Sequence, residues 1–117
     1  MLVLTRKAGE SLLLAGKTCI VTVTEIRKRS VCLRITERRD VLSLSRVLAL
    51  CAGKHVRALY NDSATIFICS LRADSVRIGI SAPPEISIYR GELAAQLRAN
   101  GIDIEQPLHA LPARQHT

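Results

Sequence analysis

The sequence is poor in aromatic side chains, and this limits how it could bind other molecules. Only 3% of its 117 residues are aromatic, with two Tyr, one Phe and no Trp. Many single-strand nucleic-acid binders stack bases on several aromatic rings, so a platform of that kind is not expected here. If RNA binds, backbone groups, arginines and aliphatic side chains must supply most of the contacts.

Long apolar runs and metal-ligand spacings are also missing from the sequence. No hydrophobic stretch reaches the length of a membrane span, and the first residues have a strand pattern rather than that of a signal peptide. The four cysteines form no CxxC pair, and no pair of histidines lies near them in the sequence, which argues against zinc. We therefore expect a cytoplasmic protein with free thiols, no metal and no cofactor. The residues concerned are Cys19, Cys32, Cys51 and Cys69, with His55, His109 and His116.

Positive charge is in excess and is unevenly distributed along the chain. The formal net charge is +7, and residues 1–46 carry ten Lys/Arg against four Asp/Glu. Residues 47–117 carry seven against six, so nearly all of the excess lies in the first part. A polyanion such as a nucleic acid is the natural partner of such a chain. No nucleophile elbow, phosphate loop or paired carboxylates occur, so we expect a binding protein and not an enzyme.

The apolar pattern predicts short strands, and a hydrophobic fraction of 48% is enough for a core. Thr18–Ile26 alternates in period two, which is typical of a half-buried strand, with Cys19, Val21 and Val23 on the inward face. Gly91–Ala99 has leucines at helical spacing before Asn100-Gly101, which predicts a short C-terminal helix. Further strands are expected at Met1–Lys7, Ser11–Leu14, Ser30–Thr36, Val41–Arg46, Ala64–Leu71, Ser75–Ile80 and Glu85–Arg90.

An internal repeat relates the two parts of the chain. Residues 17–36 (KTCIVTVTEIRKRSVCLRIT) align without a gap on residues 62–81 (DSATIFICSLRADSVRIGIS), at an offset of 45. Arg27, Ser30, Val31 and Ile35 have identical counterparts in the second copy. The same order of further elements around both hairpins favours a duplication over a chance likeness of two hairpins.

Two segments resemble the carbon storage regulator family (CsrA/RsmA). The opening MLVLTRKAGESLLL is similar to the family's first strand and its Gly-Glu turn, and SVRIGISAPPEISIYRGEL is similar to its last two strands and helix start. The resemblance covers about residues 1–100. It implies a mainly all-β fold of intertwined short-stranded sheets, built as a tandem pseudo-dimer in one chain with a short C-terminal helix. The expected division is repeat 1 at 1–46, repeat 2 at 47–105 and a flexible tail at 106–117.

Family members bind RNA on surfaces that combine the first strand of one subunit with the last strand of the other. The resemblance therefore places Met1–Lys7 beside Glu85–Arg90 as one RNA-binding surface. Tyr89 stands where the family usually has His, and its ring could still stack on a base. The RNA-binding residues that the resemblance implies are Leu4, Thr5, Arg6, Lys7, Arg77, Ala82, Pro83, Ile86, Ile88, Tyr89 and Arg90.

The opposite surface is expected to be degenerate. It would combine Val47–Gly53 with Val41–Arg46. There the Leu-Thr-Arg end is replaced by Leu50-Cys51-Ala52, and the Ala-Pro turn by Glu37-Arg38-Arg39. One competent RNA site and one degenerate face follow from this interpretation.

The resemblance implies a post-transcriptional regulator that recognises GGA elements in hairpin loops of mRNA leaders. Bound near the ribosome-binding site, such a protein hides that site from the ribosome, and small regulatory RNAs with several GGA loops titrate the protein away. Two alternatives stay open. One is a protein-interaction module that sequesters a partner, such as a flagellar assembly factor or another family member. The other is a nonspecific nucleic-acid binder.

The middle of the chain also allows a helical interpretation. In Asp40–Ala52 an N-cap residue is followed by apolar residues at helical spacing, and Gly53 would end the helix. This segment would then be a helical insertion in a single family unit, which must form a homodimer to pair its strands. The β interpretation predicts a pseudo-dimeric monomer.

Overall fold

The computed structural model describes residues 1–16, 18–59 and 62–102, except for the side chain of Arg39. The predicted C-terminal tail, residues 106–117, lies outside the described residues. The described elements are nine strands and one helix. They are β1 (Leu2–Arg6), β2 (Ser11–Leu14), β3 (Cys19–Ile26), β4 (Ser30–Arg39), β5 (Leu42–Cys51), β6 (His55–Ala58), β7 (Ala64–Leu71), β8 (Val76–Ser81), β9 (Ile88–Arg90) and α1 (Gly91–Ala99).

The strands form two antiparallel sheets that exchange elements between the two halves of the chain. The first sheet has four strands in the order β1-β8-β7-β6, and the second has five in the order β5-β4-β3-β2-β9. Strand β1 therefore joins strands of the second half, while β9 joins strands of the first half. This confirms the expected fold class, an intertwined and mainly β pseudo-dimer in one chain.

The two central hairpins are related by the offset of 45 seen in the sequence. Ile20 pairs with Thr36 across β3 and β4, and Thr65 pairs with Ser81 across β7 and β8. Each first strand carries a register shift at the equivalent position, between Val23 and Glu25 and between Ile68 and Ser70. A shared bulge fixes both register and twist, so it is strong support for duplication.

The turns before these hairpins repeat at an offset of 44, one residue less. Gly9 N donates to Val23 O at 2.7 Å, and Gly53 N donates to Ile68 O at the same distance. Strands β2 and β6 are each followed by a non-glycine residue at positive φ. These residues are Ala15, with φ 53°, and Leu59, with φ 73°. Left-handed backbone is unfavourable for a residue as large as leucine, so the duplicated fold imposes it at this position.

One hydrophobic core joins the two sheets. It is built from the inward residues of alternating strands, which is why Cys19, Val21 and Val23 are all buried as the period-two pattern predicts. Leu4, Ile68, Ile78 and other fully buried side chains of the four-stranded sheet belong to the same cluster. The halves share this core, so neither half presents a complete apolar interior of its own.

The middle of the chain departs from both sequence-based interpretations. Residues Leu42–Cys51 form one ten-residue strand, so the predicted helix over Asp40–Ala52 is wrong. The expected surface of Val47–Gly53 beside Val41–Arg46 is also wrong, since β4 turns at Asp40 and β5 returns along it in continuous register. Arg46 and Val47 are consecutive residues of one strand, so the segments before and after them cannot pair with each other.

This pairing also changes the equivalence of the first strands. Val76 pairs with Arg6, and its counterpart Val31 pairs with Leu50. Leu4-Thr5-Arg6 therefore corresponds to Leu48-Ala49-Leu50 and not to Leu50-Cys51-Ala52. The sequence placed the second copy two residues too late because the ungapped match extends only over the hairpin.

Helix α1 closes the second sheet at its β9 edge. It packs Ala94 against Leu13 and Tyr89, outside the main core. Gly91 begins the helix where a Cβ atom would collide with Ser11 Oγ, so any other residue there would force the Ser11 side chain or the helix to shift. In the described part of the chain, no helix is long and apolar enough to cross a membrane.

Candidate nucleic-acid interface

The alternation of β1 divides the predicted RNA-binding residues into two groups. Leu4 and Arg6 face inward and are buried, whereas Thr5 and Lys7 are exposed. Across the sheet Arg77 pairs with Thr5 and is exposed on the same face. The family pattern names positions along the strand, but only the outward ones can touch a ligand in this conformation.

Arg6 connects β1 to the segment that follows β9, the two ends of the chain that the family resemblance places side by side. Strands β1 and β9 belong to different sheets, and Arg6 is only 4% exposed between them. Its Nη1 donates to Glu92 Oε1 at 2.7 Å and to Ser11 O at 3.1 Å, and its Nη2 donates to Glu92 Oε2 at 3.1 Å. These bonds lower the pKa of the Glu92 carboxyl below its ordinary value. The structure gives Arg6 a positioning role rather than an exposed contact.

Tyr89 and Ile88 are also placed inside the protein. Ile88 belongs to the main core, and Tyr89 is 3% exposed beneath α1. The Tyr89 hydroxyl has no hydrogen-bond partner among the described residues, and burial raises its pKa. The expected stacking of this ring on a base therefore conflicts with its packing, because helix α1 covers the ring.

A basic pocket opens on the outward face of β1 and β8. It has a volume of about 200 Å³ and is lined by Thr5, Arg72, Ser75 and Arg77. The β7–β8 hairpin turn positions two of these residues, since Arg72 N donates to Ser75 O at 2.9 Å. Two guanidinium groups beside two hydroxyl groups provide the donors that a phosphate accepts. The family pattern missed Arg72 and Ser75; their only sequence signal was their place at the predicted hairpin tip Arg72-Ala73-Asp74.

The segment between β8 and β9 carries the remaining predicted residues. Pro83 is exposed, Ala82 and Ile86 are half-buried, and Ile86 N donates to Pro83 O at 3.0 Å. The expected strand Glu85–Arg90 is shortened to Ile88–Arg90 by this turn. Arg90 is half-buried at the end of β9, two residues before Glu92. The turn and Arg90 therefore belong to the segment that the Arg6–Glu92 hydrogen bonds connect to β1.

The corresponding face of the other half has lost most of this chemistry. At the equivalent positions Cys32 replaces Arg77, Ala49 replaces Thr5 and Cys51 replaces Lys7. The counterpart of Arg72 is Arg27, which forms an exposed ion pair of 3.0 Å with Glu25. The Thr–Arg pair is thus kept on only one of the two pseudo-equivalent faces, although the hairpin tip of the other half, Arg27-Lys28-Arg29, carries more positive charge than Arg72-Ala73-Asp74.

These features define a single-chain, pseudo-symmetric β-protein with an arginine-lined pocket on one of its two equivalent faces. The chain belongs to the CsrA family, described as a global regulator protein family, whose model matches residues 1–43 and again residues 58–99. Together the two matches cover more than half of the chain, and they leave residues 44–57 between them unmatched.

Several relatives named "Translational regulator CsrA" are similar to parts of the chain. The protein from Lachnospira eligens is 41% identical over 51 residues, which is 44% of this chain and 70% of the relative. The protein from Syntrophomonas wolfei is 36% identical over 67 residues, 57% of this chain and 88% of the relative. One from Desulfitobacterium hafniense is 32% identical over 62 residues, 53% of this chain and 80% of the relative. No solved structure matches the chain.

Proposed function

We propose that this chain is an RNA-binding post-transcriptional regulator that holds a GGA-containing loop on one edge. We call it the cationic edge; it comprises the pocket of Thr5, Arg72, Ser75 and Arg77 together with Pro83 and Arg90. The observation that supports the proposal best is the pocket of Thr5, Arg72, Ser75 and Arg77, whose counterpart in the other half lacks two of the four groups. Relatives that carry the name translational regulator support the same function.

Phosphate groups would bind in this pocket, and the bases would reach the neighbouring edge. Arginine forks hold phosphate oxygens and make affinity depend on salt, while contacts to base edges give selectivity. Unpaired loop bases expose those edges, whereas the deep groove of an RNA helix hides them. Pro83 and Arg90, on the edge tied to β1 through Arg6 and Glu92, are proposed to contact the bases.

The proposed regulation is steric and uses one RNA site per chain. A protein bound to a GGA element that overlaps a ribosome-binding site excludes the ribosome, and small RNAs with GGA loops compete for the same edge. A single site cannot bridge two elements of one transcript. The duplication is proposed to join repeat 1 (1–46) to repeat 2 (47–105) within one cytoplasmic, monomeric chain.

The test is a titration of the full chain with a GGA hairpin and with the same hairpin carrying a scrambled loop. Native mass spectrometry should show one RNA per monomer, and the GGA loop should bind at least tenfold more tightly. Two RNAs per dimer would contradict the single-site proposal. Equal binding of both loops would favour a nonspecific binder, and no binding at low salt would favour a protein-interaction module.

Arginine variants locate the site on the cationic edge. We expect Arg77→Ala and Arg90→Ala each to weaken GGA binding by roughly tenfold or more, because a charge-assisted hydrogen bond contributes about 1.5–3 kcal/mol. Arg72→Ala is matched by Arg27→Ala at the equivalent hairpin tip of the other half. Arg46→Ala is the matched control for Arg90→Ala. Comparable losses from a variant and its control would contradict the one-sided assignment.

A further inference from the structure

The two sheets differ at one edge, which is covered by an additional strand in the five-stranded sheet only. In the five-stranded sheet β9 lies along β2, with Tyr89 opposite Leu13 and Ile88 opposite Leu14. Among the residues that the structure describes, no strand lies along the outer edge of β6, which is the counterpart of β2. An open strand edge presents backbone donors and acceptors to any extended chain.

Two side chains occupy the hydrogen-bonding positions of the absent strand. Ala15 N donates to Ser87 O at 2.9 Å, and the N–H of its counterpart Leu59 donates instead to Glu37 Oε1 at 3.0 Å. Arg57, two residues before Leu59, is the counterpart of Leu13. The Arg57 carbonyl accepts a hydrogen bond from Arg46 Nη2. In an antiparallel ladder this carbonyl would accept from the strand residue equivalent to Tyr89.

Glu37 and Arg46 cap these positions as a pair. Glu37 Oε1 and Arg46 Nη2 lie 4.0 Å apart, with the Glu37 side chain largely buried and that of Arg46 half-exposed. Charged groups at a sheet edge are a common protection against unwanted strand pairing. They can be displaced by a backbone that satisfies the same Leu59 N–H and Arg57 C=O groups.

Behind this pair lies a pocket where the counterpart of Ile88 would be. The pocket has a volume of about 270 Å³. One side is apolar and is formed by Ile35, Leu44, Ala58 and Leu59; the other is polar and is formed by Glu37, Ser45, Arg46, Arg57 and Asp62. Ile88 itself is fully buried in the core, while Leu44 at the offset of 44 is 54% exposed. The pocket and the strand edge together have the form of a site for a strand with an inward apolar side chain.

The chain's own segment does not fill the site, although its sequence fits. Leu42–Arg46 (LSLSR) matches Ile86–Arg90 (ISIYR) in apolar pattern and in its final arginine. Leu42–Arg46 is paired with β4, and Val47 continues that pairing directly. Since no residue separates Arg46 from Val47, this segment cannot reach β6 without breaking the register of the following strand.

We propose that the outer edge of β6 is a capped acceptor site for an extended peptide strand of another chain. The occupant has the pattern of residues 87–90: a small residue, a β-branched apolar residue that enters the pocket, and an arginine two positions later. Strand addition supplies affinity through main-chain hydrogen bonds and selectivity through the pocket. The Glu37–Arg46 pair keeps the edge closed until a backbone replaces both of its hydrogen bonds.

The experiment uses the ¹⁵N-labelled full chain and a synthetic peptide of residues 85–91 (EISIYRG). We expect Glu37→Ala/Arg46→Ala to bind the peptide at least tenfold more tightly than the unaltered chain, because the edge is uncapped. Amide shifts should be centred on Val56, Arg57 and Leu59. A peptide with Ile88→Asp should bind the uncapped chain at least tenfold more weakly, since a carboxylate cannot replace the apolar contacts of Ile88 with Ile35, Ala58 and Leu59.

The controls separate edge opening from general loss of charge. Glu25→Ala/Arg27→Ala removes the ion pair at the β3–β4 hairpin tip and should leave peptide binding unchanged. Equal affinity of capped and uncapped chains, no binding to the uncapped chain, or shifts centred on β2 would each overturn the proposal. If the double alanine variant loses its dispersed amide spectrum, Glu37→Gln and Arg46→Gln replace it, each with a smaller gain expected. RNA takes no part in this test, so its result is independent of the proposed RNA binding.

Discussion

The Arg6–Glu92 contact should stabilise the fold by joining the two sheets, whether or not RNA is bound. Replacing Arg6 by Met keeps much of the buried volume and removes the hydrogen bonds to Glu92 and to the backbone carbonyls of Thr5 and Ser11. A hydrogen bond with a charged partner contributes about 1.5–3 kcal/mol. Glu92 is 56% exposed, so solvent screening reduces its share.

We expect Arg6→Met to lower the free energy of unfolding by about 2 kcal/mol and Glu92→Gln by about 1 kcal/mol. The double variant should lose less than the sum, with a coupling energy of about 1 kcal/mol. The chain has no Trp, so urea unfolding is best followed by far-UV circular dichroism. An Arg6→Met variant as stable as the unaltered chain, or strictly additive losses, would refute the positioning role.

The same contact predicts how stability depends on pH. Arg6 lowers the pKa of Glu92 in the folded state, so the unfolded state binds the proton more readily. The stabilisation is therefore complete above the ordinary glutamate pKa and is lost as the pH falls through the lowered, folded-state value. The stability difference between the unaltered chain and Glu92→Gln should be greatest near neutral pH and should close in acid. A difference that stays constant down to strongly acidic pH would contradict this reasoning.

Two further predictions concern the core and the thiols. Ile78→Ala removes a fully buried side chain from the shared core and should destabilise the protein by about 2–5 kcal/mol, as measured by the same urea unfolding. At mildly alkaline pH a maleimide should label the exposed Cys51 and Cys69 rapidly and leave Cys32 and Cys19 unmodified until denaturant is added. Burial raises the pKa of Cys19 to about 12, so it has almost no thiolate. Intact-mass spectrometry would show two fast adducts, and four would contradict the described packing.

Most of the strand pattern follows from the sequence because period-two alternation reports directly which residues are buried. The hairpins 19–36 and 64–81, the short helix and the duplication could all be predicted in this way. The match of LSLSR to ISIYR is also visible in the sequence. It does not reveal the partner of that segment, because strand pairing depends on contacts between distant residues.

The candidate site shows the same division between local and long-range information. The sequence named candidate RNA-binding residues through the family resemblance, since the matching residues occur in the family's order along the first and last strands. Only the tertiary structure decided that Arg6 and Tyr89 are buried and that Arg72 and Ser75 join Arg77 at an exposed pocket. It also decided that β5 pairs with β4, which leaves the edge of β6 to Glu37 and Arg46. The physical reason is that alternation identifies the buried face of a strand, whereas its neighbours depend on linker length and on the packing of both halves into one core.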